Sequence, residues 1–558
     1  MKPDIRWQLL LAAAGFGLIL ALLSYQVQSA GLCTVQVPAE GGVYAEGILG
    51  APQYINPLLA DPNPVDRELS SLIFDGLTRY ENGVPVPVLA ESWEVSEDGR
   101  TVRFFLREDV SWHDGRPLTV DDVLFTYGLL QSDDFTGDPA LTRLWQSVIM
   151  RGIDERTIEF ELPEPYSGFL EATTRGIMPA HVLEGVTAAT LADSSFNRQP
   201  IGTGPFMVDS SQNWEASRGL SLSPFLDAWS SAAQIGNLLF RFYASESELL
   251  EAFERGEIQA INSVSPVMLP ELAEVPQARL FSTSVPRYTA LLFNMTESGS
   301  AATQSGAVRH ALAMGLDRDK LVDETINGQG IVQNGPYLTS SWAHNSSVTM
   351  IDSFQPISAT VALEDSGWVL SEGETIRRLQ EQPMILRFLV YDTPTNRVIA
   401  ESISEQWTEL GIAPQLLLFT NWREFRQNLA AGEFDVALVD ITPPGDPDLY
   451  DFWSQEAIVR GQNYAGWNRR RASEALENGR RLWSIEERKP FYDSFLRYYS
   501  EDLPELTLFQ HVYTYAVNEA VTGVEIGRIG HPRDRYASMA NWILRHRDVT
   551  VACPDESV

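Results

Sequence analysis

The sequence has few of the residues on which metal sites, disulfide frameworks and nucleic-acid binding depend. Only two of its 558 residues are cysteine and seven are histidine, and no histidines pair at metal-ligand spacing. Lysine and arginine number 41 against 75 aspartate and glutamate, so the formal net charge is −34. This charge argues against binding to nucleic acid or to an anionic membrane surface through bulk electrostatics. We therefore expect no metal, no cofactor and no nucleic-acid partner.

The motifs of common enzyme classes are missing as well. The chain contains no Gly-x-Ser-x-Gly elbow, no His-Glu-x-x-His, no phosphate-binding loop and no Cys-x-x-Cys. Pairs of carboxylates are plentiful in a chain with 75 acidic residues, so they are not evidence for glycosidase chemistry. His113 belongs to a Trp-His-Asp-Gly turn and is interpreted as a scaffold residue. These absences favour a binding protein over an enzyme, with an exported hydrolase as the alternative from another class.

One long apolar run, Leu9 to Leu23, lies near the N-terminus behind Lys2 and Arg6. Positive charge before an apolar segment is typical of an export signal or of an anchor with its N-terminus inside. The run is shorter than the ~20 residues of a membrane-spanning helix, so both readings stay open for residues 1–32. In either case the rest of the chain is predicted to be extracytoplasmic, in the periplasm or at the outer face of the cell membrane.

The two cysteines lie at opposite ends of the exported part of the chain. Cys33 follows Ala30-Gly31-Leu32, where the bulky leucine disfavours lipidation of the cysteine without excluding it. Cys553 follows an alternating segment, Val549–Ala552, that is similar to Thr34–Val37 beside Cys33. Two such segments pair well as a short antiparallel ladder. We predict a disulfide between Cys33 and Cys553, with lipidation of Cys33 as the competing outcome.

The length of the chain predicts more than one lobe, because a single hydrophobic core stops growing at roughly 250–300 residues. Hydrophobic residues make up 44% of the composition, which supplies ample core and excludes general disorder. The sequence shows no internal repeat, no low-complexity segment and no Pro/Ser-rich linker between its segments. Two lobes built from discontinuous pieces of the chain are therefore expected.

The most strongly patterned stretch runs from Leu89 to Leu130. It predicts a turn at Ser96–Gly99, a strand over Thr101–Arg107 and a second turn at Trp112–Gly115. Thr119 then begins a helix as its N-cap, with Asp122 three residues later in a capping-box pattern. The predicted unit is a hairpin leading into a helix, with no reactive group.

This stretch resembles the signature of the family 5 extracellular solute-binding proteins, the dipeptide- and oligopeptide-binding receptors of ABC importers. The resemblance continues at Ile201–Phe206, Leu291–Asn294 and Ala307–Ile326, and it covers about residues 41–545. It implies an α/β, two-lobed periplasmic-binding-protein fold of the large, peptide-binding type, with a ligand cleft between the lobes. The first lobe would comprise about 41–280 continued by 525–545, and the second about 285–520.

The second lobe contains a predicted strand at Arg387–Tyr391 and a predicted helix at Asn396–Leu410. Five apolar residues of that helix are expected on its buried side: Val398, Ile399, Ile403, Trp407 and Leu410.

The resemblance implies an extracytoplasmic receptor that captures peptides in the cleft and delivers them to the membrane permease subunits of an ABC transporter. A monomer is expected. A receptor of the same fold for oligosaccharides or metal chelates is the alternative within the binding class.

The loop from Thr442 to Phe452 resembles the family's Gly-Asp-Pro-Asp-Pro loop, whose acidic residue pairs with the α-ammonium group of the ligand. The resemblance assigns that role to Asp446, with Asp448 as the second choice. A carboxylate partner is what an ammonium removed from water requires. The alternative is a proline-rich turn whose aspartates bind their own backbone.

Three aromatic residues in family motifs are predicted to line the cleft or to pack in the core: Trp422, Tyr464 and Trp467. Arg287 and Arg397 are candidates for binding a carboxylate group of the ligand.

Overall fold

The computed structural model describes residues 15–20, 32–39, 42–209, 219–229, 236–348 and 353–552. Residues 15–20 are helical, and the remainder of the predicted signal or anchor segment up to residue 31 lies outside the described residues. Across those six ranges, no helix has both the length and the apolar character needed to cross a membrane. The choice between signal peptide and anchor stays a prediction.

Twenty-one strands are present in the described ranges, numbered in chain order. They are β1 Leu32–Ala39, β2 Val43–Leu49, β3 Thr78–Glu81, β4 Val84–Pro87, β5 Ala90–Val95, β6 Thr101–Leu106, β7 Ile149–Gly152, β8 Thr157–Glu161, β9 Phe206–Val208, β10 Gly219–Pro224, β11 Asn237–Tyr243, β12 Ala260–Ile261, β13 Ala278–Phe293, β14 Gly330–Val332, β15 Arg378–Leu379, β16 Gln382–Pro383, β17 Ile385–Tyr391, β18 Ala413–Phe419, β19 Val436–Ile441, β20 Glu505–Asn518 and β21 Arg545–Ala552.

Helices cover the faces of these sheets. The α-helices are Pro64–Ile73, Val120–Leu130, Pro139–Ser147, Phe169–Ala172, Glu246–Glu254, Leu269–Ala273, Ala301–Gln304, Gly306–Met314, Arg318–Ile326, Pro356–Asp365, Pro394–Glu409, Trp422–Ala431, Tyr450–Trp453, Ala457–Arg460, Arg470–Arg480 and Ile485–Asp502. Short 3₁₀ helices span Ala188–Asp193, Ser195–Asn197, Pro532–Tyr536 and Met539–Asn541.

A mixed sheet of 11 strands runs through the molecule in the order β18-β17-β19-β13-β20-β12-β2-β11-β10-β9, with β14 paired to β20 outside this path. Its two longest strands, β13 and β20, are antiparallel neighbours. Their register shifts between Ser284 and Tyr288, which divides the pair into two ladders. One ladder belongs to each half of the sheet, so β13 and β20 connect the two halves.

Buried side chains form separate cores on the two sides of this connection. The largest core joins buried residues between Tyr44 and Phe242 to buried residues between Tyr515 and Trp542. Two other large cores lie between Leu291 and Phe509. This distribution supports the predicted lobes at 41–280 with 525–545 and at 285–520, and we keep those boundaries as a proposal.

The hairpin-and-helix unit predicted near residue 100 is confirmed. β6 covers Thr101–Leu106, and the helix Val120–Leu130 begins after Thr119, which forms a capping box with Asp122. Trp112 from the intervening turn is fully buried and donates its indole N–H to Asp122 at 3.3 Å. The signature residues therefore fix the local fold, as their pattern predicts.

His113 joins this turn to the Gly-Thr-Gly segment that the family resemblance also singles out. Its Nδ1 accepts the backbone N–H of Gly202 at 3.1 Å, and its Nε2 lies 3.0 Å from the carbonyl of Gly204. Burial lowers the pKa of His113, which is consistent with a neutral ring that accepts at one nitrogen and donates at the other. The scaffold interpretation of His113 is confirmed.

Gly202→Ala is expected to destabilise the first lobe by about 2–3 kcal/mol, because the added methyl group would clash with backbone atoms that have no room to move away. A Cβ at this position would lie 1.8 Å from the carbonyl oxygen of Ile73. Chemical denaturation monitored by tryptophan fluorescence measures the change. Gly128→Ala is the matched control, since nothing lies within 4 Å of its added Cβ and alanine favours a helix. Equal losses in both variants would contradict the packing argument.

The predicted helix at 396–410 is observed at Pro394–Glu409. Ile399, Ile403 and Trp407 are buried in it, and Leu410 is buried at its C-cap. The prediction for Val398 was wrong, because its side chain is 42% exposed. Successive helical residues are about 100° apart, so Val398 leaves the buried face that its neighbour Ile399 occupies.

The ends of the described chain pair as predicted. β1 and β21 form an antiparallel two-stranded sheet in which Cys33 is opposite Val551 and Leu32 is opposite Ala552. Cys553 follows directly but lies outside the described residues. The disulfide between Cys33 and Cys553 stays a prediction.

The segment after β20 returns to the first lobe and is held there by a buried arginine. Arg535 is 1% exposed and contacts two buried carboxylates, with Nη2 2.6 Å from Glu46 and Nη1 ion-paired with Glu68. Tyr515 and Tyr536 donate their phenol groups to Glu46 at 2.6 and 2.8 Å. This cluster ties residues 532–536 to β2 and to the helix Pro64–Ile73.

Candidate functional site

The two lobes touch along one side of the molecule. The indole N–H of Trp342 donates to the carbonyl of Gly83 at 3.0 Å, and that of Trp483 donates to Gly99 at 3.1 Å. Each pair joins the second lobe to the first. The two lobes are therefore in direct contact here, and groups on their facing surfaces are partly removed from water.

Asp446 lies at this contact and is paired with a buried arginine. Both residues are 3% exposed, and Arg488 donates to the two carboxylate oxygens at 2.8 and 2.5 Å. The backbone N–H of Asp446 donates across the lobe contact to Glu171 at 3.1 Å. A two-pronged guanidinium bond of this kind is strong and directional. The predicted ammonium-binding carboxylate thus already has a protein cation beside it.

Asp448 has an arginine of its own. Its carboxylate lies 3.0 Å from Nε of Arg480, whose guanidinium is sandwiched between the rings of Tyr166 and Tyr450 at 4.5 and 4.3 Å. Burial raises the pKa of Asp448 to about 6, with Arg480 acting in the opposite direction and the charge of Asp446 adding to the rise. The loop aspartates also accept local backbone N–H groups, as the turn alternative predicts.

Glu171 is a third acidic residue at the lobe contact, and the sequence analysis did not identify it. It is partly buried in the short helix Phe169–Ala172. Burial raises its pKa to about 7, and the charge of Asp446 adds to the rise. Arg175, whose charge acts in the other direction, is itself ion-paired with Asp61 at 2.5 Å. No sequence motif surrounds Glu171, so only the lobe contact reveals it.

The group comprising Glu171, Asp446, Asp448, Arg480 and Arg488 is called the interlobe cluster below. It holds three carboxylates and two guanidinium groups, an excess of one negative charge when all are ionised. Three buried polar atoms in or beside the cluster have neither a hydrogen-bond partner nor an ion-pair contact within the described ranges: Tyr80 Oη, Tyr337 Oη and Arg488 Nε. Arg480 Nε also lacks a hydrogen bond of good geometry, although it lies 3.0 Å from Asp448. Unpaired buried polar atoms cost free energy, so a polar solute that supplies partners would stabilise this region.

The three predicted aromatic residues lie in different environments. Trp422 is 54% exposed and stacks on Phe425 with ring centroids 5.3 Å apart. Trp467 is 1% exposed and donates its indole N–H to Asp502 at 2.8 Å. Tyr464 is partly buried against the core of the second lobe. Trp467 therefore follows the core-packing alternative in this conformation, whereas Trp422 and Tyr464 remain predicted cleft residues.

The two predicted carboxylate-binding arginines differ in their partners. Arg397 is ion-paired with Asp392 at 2.5 Å, which satisfies its charge within the second lobe. Arg287 is exposed and donates to Nδ1 of His511 at 3.1 Å. Of the two, Arg287 is the one without a carboxylate partner in the described part of the chain.

Within the described ranges, no group of three or more histidine, cysteine, aspartate or glutamate residues is arranged to hold a metal ion.

The chain matches the family model of bacterial extracellular solute-binding proteins, family 5, over residues 84–458. It is 24% identical over 521 residues to the oligopeptide-binding protein AppA of Bacillus subtilis, covering 91% of this chain and 92% of that protein. It is 23% identical over 529 residues to the dipeptide-binding protein of Escherichia coli, covering 90% and 96%.

Solved structures share the fold. The substrate-binding protein CtaP of Listeria monocytogenes superposes with a TM-score of 0.78 at 20% identity, covering 91% of this chain and 100% of that one. NikZ of Campylobacter jejuni, in complex with Ni(L-His), gives 0.72 at 23% identity, covering 90% and 99%. These matches confirm the two-lobed α/β periplasmic-binding-protein fold that the sequence predicts. With a family match over two thirds of its length, the chain belongs to the bacterial extracellular solute-binding proteins of family 5.

Proposed function

We propose that this protein captures peptides in the cleft between its lobes and delivers them to the membrane permease subunits of an ABC importer. It would act outside the cytoplasm, as a monomer and without a catalytic step of its own. Relatives named as oligopeptide- and dipeptide-binding proteins support the ligand class. The family assignment supports the role of a receptor.

The observation that carries this proposal is the carboxylate of Glu171 at the lobe contact. It is partly buried, and one of its oxygens accepts the backbone N–H of Asp446 at 3.1 Å. Burial raises the pKa of Glu171 to about 7, and the charge of Asp446 adds to the rise. The charge of Asp446 is offset by Arg488, so the excess negative charge of the interlobe cluster rests on Glu171. The α-ammonium group of a peptide supplies both the missing positive charge and three N–H donors. Asp446 and Asp448 remain predicted members of the same subsite.

Glu171→Gln is expected to weaken binding of trialanine by about 2–4 kcal/mol, since a buried charge pair loses one partner. N-acetyl-trialanine should bind the wild-type protein weakly and be affected little by the substitution. Isothermal titration calorimetry with both peptides measures the difference. The matched control is Glu164→Gln, because Glu164 is 62% exposed and its pair with Arg481 spans the same lobe contact at 3.0 Å.

The affinity for trialanine should depend on pH in a defined direction. Burial at the lobe contact raises the pKa of Glu171, so contact between the lobes takes up a proton between about pH 4.5 and 7 and is favoured at the lower pH. The peptide complex requires the ionised carboxylate. Trialanine affinity should therefore rise with pH up to about 7 in the wild-type protein and stay flat in Glu171→Gln.

Equal affinity of the wild-type protein for free and acetylated trialanine would remove Glu171 from the ammonium role. Failure of every peptide to bind would move the assignment to an oligosaccharide or metal-chelate receptor. Cleavage of the added peptides, detected by mass spectrometry, would support the hydrolase alternative instead.

A further inference from the structure

The ladder between β13 and β20 is interrupted where the two strands pass from one lobe to the other. The register shift sets residues 285–287 of β13 opposite the single residue His511 of β20. Within the described pairing of the two strands, residues 285–287 have no ladder partner, and Pro286 has no backbone N–H to offer one. The crossing therefore lacks the ladder that stiffens both strands on either side of it.

Two side-chain contacts bridge this interruption. Nε2 of Gln510 donates to the carbonyl of Val285 at 2.9 Å, and Nη2 of Arg287 donates to Nδ1 of His511 at 3.1 Å. The acceptor of the first contact is a backbone carbonyl and does not titrate. The acceptor of the second is an imidazole nitrogen, which takes up a proton in the ordinary pH range. The second contact therefore depends on pH.

The directions of the hydrogen bonds fix the protonation state of His511. A guanidinium group can only donate, so Nδ1 must keep its lone pair. Nε2 lies 2.8 Å from Oγ1 of Thr289 and 3.3 Å from Asp440, while Thr289 donates to Asp440 at 2.6 Å. The ring in this structure is therefore neutral, with its proton on Nε2.

The charged groups that face His511 act in opposite directions. Arg287 on β13 disfavours a charged ring, whereas Asp440 on β19 favours it. The third neighbouring strand, β14, pairs with β20 through Gly330–Val332 and adds no titratable side chain. Burial lowers the pKa of His511 from its ordinary value of 6.5, against the hydrogen bond with Asp440 and together with the charge of Arg287. The neutral ring is thus present at neutral pH and is lost as the pH falls through this lowered pKa.

We propose that His511 is a pH-sensitive element of the hinge, whose protonation ends the contact with Arg287 and loosens the crossing between the lobes. A proton on Nδ1 would point at Nη2 of Arg287, which would place two donors and two positive charges 3.1 Å apart. The charged ring would keep its attraction to Asp440, and the exposed side chain of Arg287 is free to swing into water. Gln510 alone would then bridge the interruption. This inference goes beyond the proposed function, because it concerns the protein without ligand.

NMR of the full chain labelled with ¹³C and ¹⁵N histidine tests the protonation step. The signal of His511 is the one that is missing in His511→Asn. It should show the Nε2–H tautomer at pH 7.5 and titrate below its ordinary value, and in Arg287→Met its pKa should rise because a neighbouring cation is removed. An Nδ1–H tautomer, a charged ring at pH 7.5 or a ring that stays neutral down to about pH 4.5 would overturn the proposal.

Hydrogen exchange measured by mass spectrometry tests the loosening in the ligand-free protein. Between pH 7.5 and one pH unit below the measured pKa of His511, protection factors at the β13 and β20 crossing should fall about three- to tenfold, the factor for one hydrogen bond. In His511→Asn the amide oxygen takes the place of Nδ1, so protection should stay high at both pH values. In Arg287→Met protection should be low at both. The matched control is His310→Asn, because His310 is half-buried and contacts the carbonyl of Glu501 at 3.2 Å; this variant should keep the wild-type fall.

Protection in β17, within the second lobe, is the internal reference and should not change. An equal fall in β17 would indicate a general loosening by acid and would overturn the proposal. Unchanged protection at the crossing of the wild-type protein would do the same, and so would a fall that persists in His511→Asn. If His511→Asn does not fold, the wild-type titration still decides, because Arg287→Met identifies the His511 signal as the one whose pKa rises.

Discussion

Replacing Arg535 by methionine should lower the free energy of unfolding of the first lobe by about 3–5 kcal/mol, the cost of breaking a buried ion pair from one side. The guanidinium is the shared partner of Glu46 and Glu68, which are 0% and 8% exposed. Without it two carboxylates remain buried next to one another. Urea denaturation, followed by fluorescence and by circular dichroism to detect separate transitions of the two lobes, measures the loss.

The loss should depend on pH in a defined direction. Burial already raises the pKa of Glu68 with Arg535 present, and removing the cation raises the folded-state pKa of Glu68 further. A raised carboxyl pKa contributes stability at low pH that is lost as the pH rises above the unfolded value. Arg535→Met should therefore be least damaging near pH 4.5 and most damaging at pH 8.

Two further variants keep this prediction testable. Arg528 lies on the same C-terminal segment but is exposed, and among the described residues its only side-chain hydrogen bond is to Asn82 at 2.9 Å. The effect of Arg528→Met should therefore stay within about 0.5 kcal/mol. Adding Glu46→Gln and Glu68→Gln to Arg535→Met should recover part of the lost stability at pH 8, since no buried charge is left. A loss that is independent of pH and not relieved by the added glutamines would contradict the electrostatic explanation.

Local patterns predicted much of this fold because their physical basis is local. The capping box at Thr119 and the apolar face of the helix Pro394–Glu409 depend on residues within a few turns of one another. The family resemblance reached only the end of the 16-residue strand β13, near Leu291, because the residues before it, including Ser282 and Pro286, lack strand alternation. The first part of β13, Ala278 to Ser284, is a strand because it pairs with β20, more than 200 residues away. Pairing at such a distance leaves no local signal.

The candidate site was predictable to the same limited extent. The resemblance of the 442–452 loop pointed to Asp446, and the structure places Asp446 at the lobe contact. Its partner Arg488 lies inside the helix Ile485–Asp502, and Glu171 comes from the other lobe. Neither residue differs in its sequence surroundings from a solvated surface charge. The packing of the lobes decides which charged residues are buried and which of them pair. The sequence alone therefore indicated which loop matters, but not how its charges are balanced.

A double-mutant cycle on Asp446 and Arg488 has the second large expected effect. Asp446→Asn leaves a guanidinium that is 3% exposed without its anion, and Arg488→Met leaves Asp446 buried beside Asp448. Each single change should cost about 3–5 kcal/mol of folding free energy. The double variant should lose less than the sum by about 2–3 kcal/mol, because no unpaired buried charge remains. Urea denaturation of the ligand-free protein supplies all four values, and strict additivity would show that the pair is not coupled.

The same cycle separates the structural role of Asp446 from a direct role in ligand binding. Asp446→Asn alone should weaken trialanine binding whichever role it has, because the loop that faces Glu171 loses its support. In the double variant the fold is partly restored while the Asp446 carboxylate is still absent. If Glu171 carries the ammonium contact, the double variant should still bind trialanine more tightly than N-acetyl-trialanine, by a ratio close to that of the wild-type protein. A ratio near one would instead assign the ammonium to Asp446 itself, and Arg488 would then be the group that holds the carboxylate ready for the peptide.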